Sequence, residues 1–242
     1  MTDRYNAYRA ALGLPRVESS PESSPLIGDL HLLRSVPELA DQPYLPRQVR
    51  HVGPLLWDMP SSHARLDSFI ALHRAAGRPV VYVQIGRLFE DFPAWEPVLT
   101  ALGRVQVDAI LDIGRSDFMG SPPRVPGNCF LTRYVPLGDI ADRVSLVVCS
   151  AQTTSVLASI FHGKPLLAIP HSTDSQELAS RVGAKGLARV IVDRANLTAA
   201  ELEAHFETLS QGSGCPATAR FQALFREYDD ERVYRVLSSV LA

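Results

Sequence analysis

The segment Val144–Val182, VSLVVCSAQTTSVLASIFHGKPLLAIPHSTDSQELASRV, constrains this chain more than any other. An apolar run, Leu146 to Val148, ends in small polar residues from Ser150 to Ser155 and passes directly into an apolar-periodic helix. After Gly163-Lys164-Pro165 a second apolar run, Leu166 to Ile169, ends in Pro170, His171, Ser172, Thr173 and Asp174. Strand, polar turn, helix and strand in that order make half of a nucleotide-binding α/β unit. The first N–H groups of a helix have no intrahelical partner and carry a partial positive charge, so the turn at 150–155 suits a phosphate.

From Ser61 onward the same alternation recurs. Strands are expected at Val80–Val83, Val107–Ile113, Phe130–Val135, Leu146–Cys149, Leu166–Ile169 and Val190–Val192. A helix capped by Ser61 or Ser62 has the apolar face Leu66, Phe69, Ile70, Leu72 and His73. Further helices are expected at Phe92–Leu102, with Pro93 in its first turn, and at Thr153–His162, Ser175–Val182, Ala199–Leu209, Thr218–Tyr228 and Glu231–Leu241. Gly120–Gly127 reads as a loop. The fold class is therefore α/β: a Rossmann-like open parallel sheet with helices on both faces, over residues 61–242.

Residues 1–60 form an N-terminal extension of different character. A short helix fits Tyr5–Leu12, Arg16–Pro25 is a Ser-, Pro- and Glu-rich exposed loop, and Asp29–Leu33 fits a strand. Pro37, Pro43, Pro46, Pro54 and Pro60 then exclude long regular elements.

At 242 residues, with 46% hydrophobic and 21% charged side chains, the chain has the composition of an ordinary globular protein. A formal net charge of −2 and the lack of any basic run argue against nucleic acid or an anionic membrane as partner. No apolar stretch approaches the roughly 18 residues of a membrane span, and MTDRYNAYRA has neither a signal-type core nor a lipidation motif, so a cytoplasmic location is expected. Cys129, Cys149 and Cys215 lie at no metal-ligand spacing, and the seven histidines form no H-x-x-x-H pattern; buried apolar cysteines and no structural zinc are expected.

Several segments taken together resemble the GT-B glycosyltransferases that move sugars from nucleotide diphosphates onto small lipophilic molecules. NAYRAALGLP (Asn6–Pro15) is similar to the tail of that family's acceptor domain, and VGPLLWD (Val52–Asp58) to the approach to its donor domain. RPVVYVQIGR (Arg78–Arg87) resembles the first donor-domain strand with its glycine turn. RYVPLGDIADRVSLVVC (Arg133–Cys149) resembles the segment where the nucleotide base packs against backbone and a proline, here Val135 and Pro136. The resemblance implies a UDP- or TDP-sugar as ligand. It implies contacts from Gly86, Arg87, Val135, Pro136, Ser150, Thr153, Thr154, Ser155, His171, Asp174 and Ser175.

The sites depart from the family pattern in specific ways. Relatives have His-Gly-Gly where this chain has Ser150-Ala151-Gln152, so a phosphate contact and a close backbone approach are altered. A charge-assisted hydrogen bond lost there weakens binding by about 1.5–3 kcal/mol. Relatives place Asp-Gln at the tip of the fifth strand; here Asp174 is followed by Ser175, and Gln176 arrives one residue late, about 100° around a helix. Arg87 beside Gly86 can meet a phosphate in compensation or point to solvent.

Asp174 and Ser150–Ser155 also fit simple helix capping. The family's acceptor pocket and general base lie in its N-terminal domain, and none of the seven histidines aligns with that base. The implied function is the donor-binding half of a glycosyltransferase, with a separate acceptor-domain subunit or a homo-oligomer completing it. The alternatives are a non-catalytic auxiliary protein and a repurposed enzyme on the same scaffold.

Overall fold

A computed structural model describes residues 2–17, 28–40, 42, 44–58, 63–86, 94–114 and 125–241. The chain divides into two compact units, Met1–Leu55 with Glu227–Ala242, and Leu56–Arg226.

The first unit opens with helix α1 (Thr2–Ala11), followed by strand β1 (His31–Leu33), a single helical turn α2 (Pro37–Ala40) and strand β2 (Val49–His51). Asn6 ties the chain after α1 back onto the helix: its Nδ2 donates to the Val17 carbonyl and its Oδ1 accepts the Val17 N–H, both at 2.9 Å. β1 and β2 pair in parallel, His31 opposite Val49. Elements stay this short because prolines interrupt both hydrogen-bond ladders and helix propagation.

The second unit runs α3 (Ala64–Ala75), β3 (Val80–Gln84), α4 (Trp95–Leu102), β4 (Asp108–Asp112), β5 (Cys129–Thr132), α5 (Leu137–Ile140), a 3-10 turn Ala141–Arg143, and β6 (Leu146–Cys149). It continues through α6 (Thr153–Phe161), β7 (Leu166–Ala168), α7 (Thr173–Ala184), β8 (Ala188–Val190), α8 (Ala199–Ser210) and α9 (Thr218–Arg226). The six strands are all parallel in the order β5-β4-β3-β6-β7-β8. Chain order therefore reverses between β3 and β6. In doubly wound sheets the crevice beyond the carboxyl ends of such a strand pair is where ligands bind.

Alternation divides each strand between two cores. Val81, Val83 and Ile85, with Ala109, Leu111, Leu146, Val148 and Leu167, face Trp95, Val98 and Leu102 of α4 and Leu202, Phe206 and Leu209 of α8. The other face, which carries Tyr82 and Gln84, is met by α3 and α6, with α9 packed on α6. Strands buried on both faces read as continuous apolar runs, and that is why they were visible in the sequence. Below the sheet, buried Asp108 at the start of β4 is held by Arg78 Nη2 at 2.9 Å and His73 Nδ1 at 2.8 Å, so this His-Asp-Arg group anchors α3 to the strands.

Several expected boundaries move. Leu72 is 68% exposed, leaving Leu66, Phe69, Ile70 and His73 as the inner face of α3. The Ser61 and Ser62 caps, Phe92, Pro93 and most of the Gly120–Gly127 loop lie outside the described residues. α4 starts at Trp95, which puts Pro97 in the first turn, where its missing N–H has no intrahelical acceptor. β5 stops at Thr132 rather than Val135, because the next residues turn into α5, whose Leu137 and Ile140 are buried. β8 occupies Ala188–Val190 rather than Val190–Val192: the ladder ends where the Ile191 N–H reaches the Ala168 carbonyl at 2.9 Å, and Val192 is exposed.

Cys149 and Cys215 are buried and Cys129 half-buried, and burial pushes the Cys129 and Cys149 thiols up to about 12. Among the described residues no helix is long and apolar enough to cross a membrane. Among them, too, no three His, Cys, Asp or Glu side chains converge to hold a metal ion. The closing helix α10 (Asp230–Leu241) falls with the first unit, with Val233, Val236 and Leu237 half-buried along one side.

Candidate functional site

The strand-order reversal opens a cleft of about 130 Å³ in the second unit. Tyr82 and Gln84 of β3 form its floor, and Ser155 and Ala158 of α6 one wall. Tyr134, Val135 and Leu137 from the β5–α5 turn form the opposite wall, and Leu56, Trp57 and Asp58 complete the rim with Gln152 and Thr154.

The turn from β6 into α6 is built for close approach. Ala151 has φ +57°, a left-handed conformation that costs an L-residue about 1–2 kcal/mol and is usually left to glycine. The N-cap of α6 is Gln152, which has extended backbone and makes no side-chain hydrogen bond to the helix. No acidic residue occupies the first turn. The positive end of α6 thus faces the cleft without a side-chain cap. Gln152, Thr153 and Thr154 are exposed there, whereas Ser150 is 2% exposed and its N–H reaches the Gln84 carbonyl at 3.2 Å.

Helix α7 is organised differently. Its N-cap is Ser172, and Ser175 closes a capping box: the Ser175 hydroxyl accepts the Ser172 N–H at 2.9 Å and the His171 N–H at 3.1 Å, and donates to the Ser172 carbonyl at 2.9 Å. The helix begins at Thr173 rather than at the expected Ser175 because Ser172, not Asp174, is its cap. Ser175 is buried and turned onto its own backbone. Asp174 and His171 are exposed. The Asp174 carboxyl is held below its ordinary range by the Ser172 hydroxyl first and by backbone N–H groups of the first turn.

Val135 lines the cleft, with buried Pro136 next to it in the chain, and is held by a network invisible in the sequence. The buried Asp112 carboxylate accepts the Tyr82 hydroxyl at 2.8 Å and the Val135 N–H at 3.1 Å on one oxygen, and the Gly114 N–H at 2.9 Å on the other. Burial, then the Asp112 charge, pushes the Tyr82 phenol well above its usual range. The Val135 N–H is thereby engaged within the protein. Gly86, two residues beyond the end of β3, has φ +140°, a conformation suited to glycine, and Arg87 lies outside the described residues.

The structure thus brings Val135, Thr154 and Ser155 to one cleft, with Thr153 on the same helix turn, and places His171, Asp174 and Ser175 on the neighbouring strand tip. Sequence reasoning passed over Tyr82, Gln84 and Asp112. Period-2 alternation within RPVVYVQIGR was the available signal, since it sets Tyr82 and Gln84 on the face opposite Val81 and Val83.

No family model matches the chain. Among curated proteins, a 4'-demethylrebeccamycin synthase of Lentzea aerocolonigenes is 27% identical over 186 residues, 74% of this chain and 42% of that protein. A PGL/p-HBAD biosynthesis glycosyltransferase of Mycobacterium tuberculosis is 27% identical over 169 residues, 67% of this chain and 37% of its own. Of solved structures, the glycotransferase of kitacinnamycin superposes with a TM-score of 0.72 at 20% identity, covering 98% of this chain and 61% of that one. These neighbours point to the GT-B natural-product glycosyltransferases, and the chain corresponds to their C-terminal part. The matched stretches span well under half the length of the curated relatives.

Proposed function

We propose that this chain is the donor-binding part of a glycosyltransferase. It holds a UDP- or TDP-sugar for transfer to a small lipophilic acceptor. The observation that carries the reading is the start of α6 with no side-chain cap, opening onto the switch-point cleft while the neighbouring α7 is closed by its own serines. An uncapped helix N-terminus in a crevice of this kind favours an anion such as a diphosphate. On this reading the base lies against Val135 and Pro136, the diphosphate meets the 150–155 turn with Thr153, Thr154 and Ser155, and Gly86 and Arg87 border it. The sugar extends toward His171 and Asp174.

Transfer also needs a group that takes the acceptor's proton while the nucleotide diphosphate leaves. That group and the acceptor pocket are assigned to an acceptor domain, a further segment or a separate subunit, with self-association as the other way to complete the cleft. A cytoplasmic location belongs to the same proposal.

Calorimetry with UDP, TDP and their sugars tests it. The expected dissociation constants are about 10–1000 μM, about −4 to −7 kcal/mol, since no charged side chain among the described residues of the turn meets the diphosphate. Asp174→Ala weakens nucleotide-sugar binding and leaves nucleotide diphosphate binding nearly unchanged. Gln152→Gly strengthens both by clearing the backbone approach. Absence of binding at millimolar nucleotide for the native chain and for Gln152→Gly rules the reading out.

A further inference from the structure

Gln84 lines the floor of the cleft and has no part in the donor site as proposed. It ends β3, beside the strand-order reversal, opposite Cys149 of β6. Its backbone carbonyl accepts the Ser150 N–H at 3.2 Å, which fixes the residue's main chain against the β6–α6 turn. Its side-chain Oε1 accepts a hydrogen bond from Ser155 Oγ across the cleft. Ser155 is 8% exposed and sits in the first turn of α6, among the N–H groups that point at the proposed phosphate position. A serine hydroxyl has one proton to donate. While Ser155 donates to Gln84, that proton cannot be donated to an anion.

We propose that Gln84 is an affinity-determining latch for the diphosphate: it sequesters the Ser155 hydroxyl, and an incoming phosphate oxygen must break the Ser155–Gln84 hydrogen bond to receive that donor. The inference rests on the donor-site reading and adds a competitor to it. The ligand class is an anionic oxygen of a nucleoside diphosphate, and the exchange moves one hydrogen bond from an amide oxygen to a phosphate oxygen with no change in covalent bonding. A net hydrogen bond of ordinary strength corresponds to about a three- to tenfold change in affinity.

The test is titration calorimetry with UDP and with uridine on the native chain, Gln84→Ala, Ser155→Ala and the double variant. Gln84→Ala is expected to bind UDP about three- to tenfold more tightly than the native chain. It is expected to leave uridine, which has no phosphate, unchanged. In the Ser155→Ala background the Gln84→Ala gain disappears, because there is no hydroxyl left to release. Gln84→Met keeps the side-chain length without the acceptor and gives the same gain; it replaces the alanine variant if that one loses its far-UV circular dichroism. UDP binding to both Gln84 variants that equals or falls below the native value overturns the latch while leaving the donor site intact. A gain that persists without Ser155 overturns it as well, since the effect is then steric. Failure of every chain to bind UDP overturns the donor-site reading and this inference together.

Discussion

Asp112→Asn is the sharpest perturbation of the framework behind the cleft. The native carboxylate receives at least three donors: Gly114 N–H on Oδ1, and Val135 N–H with Tyr82 Oη on Oδ2. Asparagine has the same shape but one oxygen and one NH2 group. With its oxygen toward Gly114, the amide NH2 faces the buried Val135 N–H; with the amide flipped, it faces the Gly114 N–H. Tyr82 can rotate its hydroxyl to accept, but a backbone N–H cannot. Each hydrogen bond to a charged acceptor contributes about 1.5–3 kcal/mol, and an orphaned buried donor costs about 1–3 kcal/mol. The substitution should therefore destabilise the second unit by about 3 kcal/mol. Tyr82→Phe removes one donor and leaves the two N–H contacts, so about 1.5 kcal/mol is expected. Urea unfolding followed by fluorescence of Trp95, buried in this unit, reads both, with an unchanged m-value as the control. An Asp112→Asn stability within about 0.5 kcal/mol of native, or a larger loss for Tyr82→Phe, would show that the Asp112 carboxylate does not hold this wall.

Three further outcomes are expected. Ala151→Gly removes the cost of φ +57° but loosens the unfolded chain, so stability should be between unchanged and about 1 kcal/mol higher, and a loss beyond about 1 kcal/mol in thermal melts contradicts it. Gly53→Ala combines φ +72° with a Cβ placed 2.3 Å from Tyr228 Cβ, and should cost more than about 2 kcal/mol; a native-like melt shows that the first unit yields more easily than its geometry implies. His162 is half-buried and its pKa is lowered from 6.5, chiefly by burial. The unfolded chain therefore binds the proton first as pH falls below 6.5, and stability drops between 6.5 and the lower folded value. His162→Gln should flatten that slope in urea midpoints compared at about pH 7.5 and about pH 5.5, and an unaltered slope assigns the effect to other groups such as His205, also lowered by burial.

The layer architecture was legible in the residues alone. β6 coincides with the expected Leu146–Cys149, and β3, β4 and β7 fall within a residue or two of expectation, because strands buried on both faces need unbroken apolar runs. Their alternation with periodic helices, joined by right-handed crossovers, allows little besides a parallel doubly wound sheet. The polar turn at 150–155 could be located for the same reason: it is where an apolar strand gives way to a helix start. The tertiary structure decided which polar groups of the site turn outward and which are consumed inside. Ser172 and Ser175 cap α7, while Gln152 leaves α6 without a side-chain cap. In sequence both are merely small polar residues before an apolar run. The Asp112–Tyr82–Val135 network and the Ser155–Gln84 hydrogen bond join residues 23 to 71 positions apart. Their existence depends on strand order and register, since only the adjacency of β3, β4 and β6 brings those donors and acceptors within reach. Local pattern carries the period of each element; the pairing of distant polar atoms is set when the elements pack, because a hydrogen bond is specified to tenths of an ångström and a hydrophobic stripe only to a face.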